Sequence, residues 1–108
     1  MARGRVQTDV DDALDAIDVG HAVVLVLETS SPADVAAMVR SAAVLTARGG
    51  RESHAAVITR SEGIPAVLAV EGLQVGDGCV VVGEHRVDVG DELIVDGTTG
   101  QVARPAPG

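Results

Sequence analysis

The sequence predicts an α/β domain. Three features point there: a continuous aliphatic run over Ala22–Leu27, apolar residues at helical spacing on either side of it, and a valine-rich final third punctuated by glycine. The chain has 108 residues, enough for one domain over 1–108, with a core over about 20–103 and no dividing linker. Phe, Trp and Tyr are absent although 46% of residues are hydrophobic, so the core must be built from small aliphatic side chains, chiefly Val and Ala.

Thr8 and Asp11 have the spacing of a capping box, and Val10, Leu14 and Ile17 share one face, which predicts a helix over 9–18 ended by Gly20. Ala22–Leu27 reads as a strand buried on both faces. Ser31-Pro32-Ala33-Asp34 supplies a cap, a proline at the first helical position and an acid at the third, opening a helix to about Ala42. Ala43–Thr46 is a short strand, Gly49-Gly50 a break, and Ser53 starts a helix that Gly63 stops after Glu62. Ile64–Val70 returns as strand. Cys79–Val82, Arg86–Val89, Leu93–Val95 and Gln101–Ala103 then suggest hairpins, and 104–108 reads as a disordered tail.

Composition removes several functions. All eight basic residues are arginine, so chemistry that needs an amine is excluded: Schiff bases, a phosphate-loop lysine, lysine-borne biotin or lipoate. A formal charge of -8 with no aromatic stacking platform argues against nucleic acid and against anionic membranes. No apolar run is long enough to span a bilayer. Gln7, Thr8 and Asp9 follow Arg3 and Arg5 where a secretory signal would be apolar, so a cytoplasmic location is expected. Cys79 is alone and reads as a core thiol. His21, His54 and His85 lack metal-ligand spacing; His21 reads as a strand edge and His85 as a turn residue.

The chemistry concentrates in Thr46–Arg60. A strand end, a glycine turn and a helix start with a histidine in the first turn form a natural anion site, because backbone N–H groups there are unpaired and the helix dipole favours negative charge. Thr46, Arg48, Arg51 and Ser53 add hydroxyls and guanidinium forks suited to phosphate oxygens. The positive helix end favours neutral imidazole, the form in which His54 can attack phosphorus. A histidine beside glycines is also, commonly, a mere surface cap. Ser53 and His54 are not a catalytic pair, since adjacent helix residues point apart.

The string Gly49-Gly50-Arg51-Glu52-Ser53-His54-Ala55-Ala56-Val57-Ile58-Thr59-Arg60 resembles the phosphohistidine signature of the phosphoenolpyruvate (PEP)-utilising enzymes: pyruvate phosphate dikinase, PEP synthase and enzyme I of the sugar phosphotransferase system. Glu28-Thr29-Ser30-Ser31-Pro32-Ala33-Asp34 is similar to the dikinase's Glu-Thr-Ser-Pro-Glu-Asp with one residue inserted. Leu45-Thr46-Ala47-Arg48, Gly63-Ile64-Pro65-Ala66-Val67 and Asp96-Gly97-Thr98-Thr99-Gly100 also match the family, so the likeness covers about residues 20–103.

The resemblance implies a swivelling β/β/α domain of the phosphohistidine type, with His54 the carrier through Nε2 and Thr46, Arg48, Gly49 and Gly50 contacting the phosphoryl group. Its expected partners are a PEP/pyruvate-binding domain or chain and a nucleotide-binding, ATP-grasp-like one. No cofactor would be bound by this domain itself, with Mg2+ at the partners' active sites. One position departs: the family has Ser, Thr or Asn where this chain has Glu52, whose carboxylate would either repel the incoming phosphoryl group or point to solvent. The missing domains make the chain an excised domain or a stand-alone carrier, and Met1 with a helix of its own favours the latter. The rival reading is a docking or regulatory module that has lost its chemistry.

Overall fold

The computed structural model describes residues 2–49, 53–83 and 85–104. They form three layers. A six-stranded sheet in the order β4-β3-β2-β1-β8-β9 lies in the middle, a three-stranded sheet β5-β6-β7 covers one face, and three helices cover the other.

The elements in chain order are β1 (Ala2–Gln7), α1 (Val10–Asp18), β2 (Val23–Leu27), a 3-10 turn (Pro32–Asp34) leading into α2 (Val35–Arg40), β3 (Ala43–Thr46) and α3 (His54–Glu62). There follow β4 (Ala66–Val67), β5 (Leu73–Gly76), β6 (Cys79–Val82), β7 (His85–Asp88), β8 (Glu92–Asp96) and β9 (Gln101–Ala103). Strands β1 to β4 pair in parallel, while β8 and β9 join antiparallel beyond β1.

The alternation of the pleat sends each strand's side chains into two cores. Val6, Val24, Val26 and Leu45 face the small sheet and meet its Leu73, Val80 and Val87. Val23, Leu25, Leu27 and Val44 face the helices and meet Ala13, Ala37, Met38 and Ala55. Every side chain of β2 is buried, as its unbroken aliphatic run requires. The α/β expectation holds, with its layers β on β on α.

Several elements differ from the sequence reading. No strand was expected over 2–7, yet β1 is central. Its inward residues are the small Ala2, Gly4 and Val6, while Arg3 pairs with Glu92 and the Arg5 guanidinium lies 3.3 Å from His21 Nε2. The cap of α1 is Asp9, whose carboxylate accepts from the Asp12 amide at 3.1 Å, so the box led by Thr8 does not form. The second helix stops at Arg40, because Ser41 turns to extended backbone while its hydroxyl donates to Ala37 O.

The strand expected over Ile64–Val70 shrinks to Ala66–Val67: Pro65 has no N–H to donate, and Ala69 adopts a left-handed φ of 54°. The strand β5 was not expected. Cys79 is half-buried at the start of β6 rather than a core thiol, and His85 opens β7. Only Arg104 of the tail 104–108 is among the described residues, just past β9.

Candidate functional site

Strands β2 and β3 run in parallel and end together, Leu27 opposite Thr46. Their pairing continues one step into the loops, where the Ala47 amide donates to Leu27 O at 3.0 Å and the Arg48 amide to Glu28 O at 2.8 Å. The carboxyl ends of parallel strands leave a crevice in which loops and helix starts converge. Here the loop after β2, the glycine turn after β3 and the first turn of α3 meet.

Gly49 carries the chain through this turn with φ of 106°, a backbone open to glycine. A Cβ there would lie 3.0 Å from Ser53 Cβ, so the turn packs directly on the cap of α3. Ser53 is that cap, its hydroxyl accepting from the Ala56 amide at 3.2 Å. The next amide is also taken: Ala55 N–H donates to Ser30 Oγ at 3.0 Å, across 25 positions of sequence. The sequence reading pictured this helix start as a row of unpaired donors. Two of them are in fact occupied by serine hydroxyls from two different segments.

His54 is the first residue of α3 and is half-buried. Its Nδ1 is buried and has no hydrogen-bond partner among the described residues. The ring edge that carries Nδ1 therefore faces the protein. The next two residues, Ala55 and Ala56, are buried.

Arg48 extends beside the glycine turn and is largely exposed, its Nε 3.7 Å from Glu28 Oε1. An exposed pair at that distance holds its guanidinium weakly, so an incoming anion can recruit it. Thr46, expected from the resemblance to contact the phosphoryl group, ends β3 opposite Leu27. It is fully buried, and its hydroxyl oxygen accepts from the Ala69 amide at 3.2 Å, which leaves one O–H to donate. Gly50, Arg51 and Glu52, also singled out in the sequence, lie outside the described residues. A cleft of about 620 Å3 runs along α3, lined by Gly49, Thr59, Arg60, Ala69 and Thr98 among others.

The structure thus gathers Arg48, Gly49, Ser53 and His54 at one strand-end crevice. Ser30 belongs there too. Sequence reading placed it in a matching string but gave it no task, because its bond to Ala55 is a long-range contact that no local pattern encodes.

Three comparisons bear on this arrangement. Residues 19–100 match the family model described as PEP-utilising enzyme, mobile domain. The pyruvate, phosphate dikinase of Entamoeba histolytica is 39% identical over 103 residues, 94% of this chain and 12% of the dikinase; that of Rhizobium meliloti is 33% identical over 105 residues, again 12% of its own length. A solution structure of Enzyme I superposes with a TM-score of 0.54 at 33% identity, over 76% of this chain and 30% of that one. The chain spans about an eighth of the dikinases that it matches. No helix among the described residues is long and apolar enough to cross a membrane. The fold, the matched signature and the relatives agree that this chain belongs to the mobile-domain family of PEP-utilising enzymes.

Proposed function

We propose that the chain is a phosphoryl carrier, transiently phosphorylated on His54 and serving two partner sites in turn. The observation that carries this reading is the placement of His54 at the start of α3, with Nδ1 buried and without a hydrogen-bond partner among the described residues, which assigns the reactive role to Nε2. In the forward step the Nε2 lone pair attacks the phosphorus of phosphoenolpyruvate. The phosphorus–oxygen bond to the enol breaks, and the released enolate takes up a proton to become pyruvate. In the second step an acceptor oxygen, that of a nucleotide phosphate in the dikinase-like case, attacks the same phosphorus and the P–N bond returns its electrons to the ring.

Arg48, Arg51, Ser53, the backbone of Gly49 and Gly50 and the remaining O–H of Thr46 are the groups assigned to the phosphoryl oxygens. Such transfer is mainly positioning and charge stabilisation, which a small rigid domain can supply. The partners are a PEP/pyruvate-binding domain or chain and an ATP-grasp-like nucleotide-binding one, which would hold the Mg2+; the proposed location is the cytoplasm. A second reading, a docking module without chemistry, is favoured by one feature alone, Glu52 in place of the family's small polar residue.

Intact mass at alkaline pH decides between them, because phosphohistidine is acid-labile. The chain is incubated with a PEP-binding domain of this family, Mg2+ and PEP, beside His54→Ala. An acid-labile adduct on the native chain only is the expected result. Labelling confined to a Glu52→Thr variant would establish the docking module instead.

A further inference from the structure

From the bond between Ser30 Oγ and the Ala55 amide, we infer that Ser30 is a positioning residue for the chemistry of His54. This rests on the carrier reading above. Ser30 lies in the loop that leaves β2, and the same loop receives the Arg48 amide on Glu28 O at 2.8 Å. One short segment therefore fixes both the glycine turn and the first turn of α3. The amide that it holds, Ala55, directly follows His54, at 3.0 Å from the hydroxyl.

His54 gains no hydrogen-bonded anchor at Nδ1, which is buried without a partner among the described residues. With no bond at that nitrogen, the placement of the ring depends on the backbone at residues 53–55. Ser53 secures that backbone from within the helix and Ser30 from outside it. Without Ser30 the first turn keeps its own cap but loses its tie to the β2 loop. The ring edge carrying Nδ1 can then turn outward.

Phosphoramidate tests this without any partner protein. An imidazole nitrogen attacks its phosphorus, the P–N bond breaks and ammonia leaves with a proton. With His21 and His85 replaced by Gln, phosphorus NMR reads which nitrogen of His54 carries the phosphoryl group. The chain with native Ser30 should give the Nε2 isomer. Ser30→Ala should add the Nδ1 isomer and slow transfer from a PEP-binding partner on the order of tenfold. Ser30→Thr, which keeps the hydroxyl, should restore both.

Ser41→Ala is the control for general loosening, because the buried Ser41 hydroxyl bonds Ala37 O in α2 at 2.6 Å. An unchanged isomer and rate in Ser30→Ala would overturn the inference, and so would the same changes in Ser41→Ala. If His54 takes the group from phosphoramidate but not from the PEP-binding partner, the carrier reading fails, while the isomer comparison still decides the role of Ser30.

Discussion

The Ala69 amide donates to Thr46 Oγ1 at 3.2 Å, and Ala69, at φ of 54°, is the one non-glycine residue with positive φ among those described. The next amide, Val70 N–H, donates to Thr46 O at 2.9 Å. Thr46 thus grips both residues at the point where the chain leaves β4. An alanine in the left-handed region costs about 1–2 kcal/mol, and a buried two-point clip offsets that cost. Ala69 forms part of the wall of the cleft along α3 and of the groove lined by Glu28 and Arg48. The clip therefore shapes both flanks of the strand-end crevice.

Thr46→Val keeps the shape and removes the acceptor for a half-buried amide. Urea unfolding should show a loss of about 1–3 kcal/mol. Ala69→Gly should raise stability by roughly 0.5–1 kcal/mol, since glycine adopts this backbone freely. Stability unchanged in Thr46→Val would mean that the clip does not restrain Ala69.

Gly4→Ala tests the depth at which β1 is set. A Cβ on Gly4 would lie 3.0 Å from the Ala22 carbonyl carbon and oxygen, backbone that cannot swing aside. The expected loss is about 1–3 kcal/mol in a denaturant titration. The same change at Gly90, where a Cβ meets nothing within 4 Å, carries only the strain of its φ of 95°.

On the carrier reading, His54 sets function against stability. Its buried Nδ1 lacks a partner among the described residues, so His54→Leu removes an unsatisfied polar atom. That variant should gain up to about 1 kcal/mol in unfolding free energy while losing every trace of acid-labile phosphate. A clear loss of stability would show that the imidazole is held by the fold rather than tolerated by it.

Acid titration isolates Asp96. The amides of Thr98, first, and Thr99 donate to its carboxylate at 3.0 and 3.3 Å and hold it below its ordinary value of 3.8. A carboxyl depressed in the folded state contributes stability that is present above its unfolded value and lost as pH falls through its folded value. Asp96→Asn should therefore differ from the native chain by a constant amount at neutral pH, and that difference should shrink below the ordinary value of 3.8. A difference that stays constant into acid would show that the charge of Asp96 is immaterial.

The parts of the fold that sequence reading recovered are those that write themselves locally. The unbroken run of β2 and the cap-to-glycine span of α3 each carry their own boundaries. The parallel strand β1 does not. Arg3 and Arg5 sit on its helix-side face, and its core-facing residues are Ala2, Gly4 and Val6, whose alternation carries too little apolar bulk to register as a strand. The run 64–70 misled for the opposite reason: its aliphatic residues fill a bent segment whose left-handed Ala69 depends on Thr46, 23 positions away. At the site, His54 and the glycine turn are legible because their spacing is local, whereas the Ser30 bond to Ala55 and the burial of Thr46 arise only on folding.

The place of β1 between β2 and β8 has a kinetic consequence. Residues 2–5 pair with residues 92–95, so the first strand waits for nearly the last before the middle sheet can close. Contacts of such separation make folding slow, and during synthesis they leave an unpaired strand edge exposed until β8 emerges. The helices and β2–β3 can gather early, but Val6 has no lasting shelter until Leu93 and Val95 arrive beside it. Refolding of this chain should thus be limited by the docking of β8 on β1, and the crevice that holds His54 would be assembled before the sheet beneath it is complete.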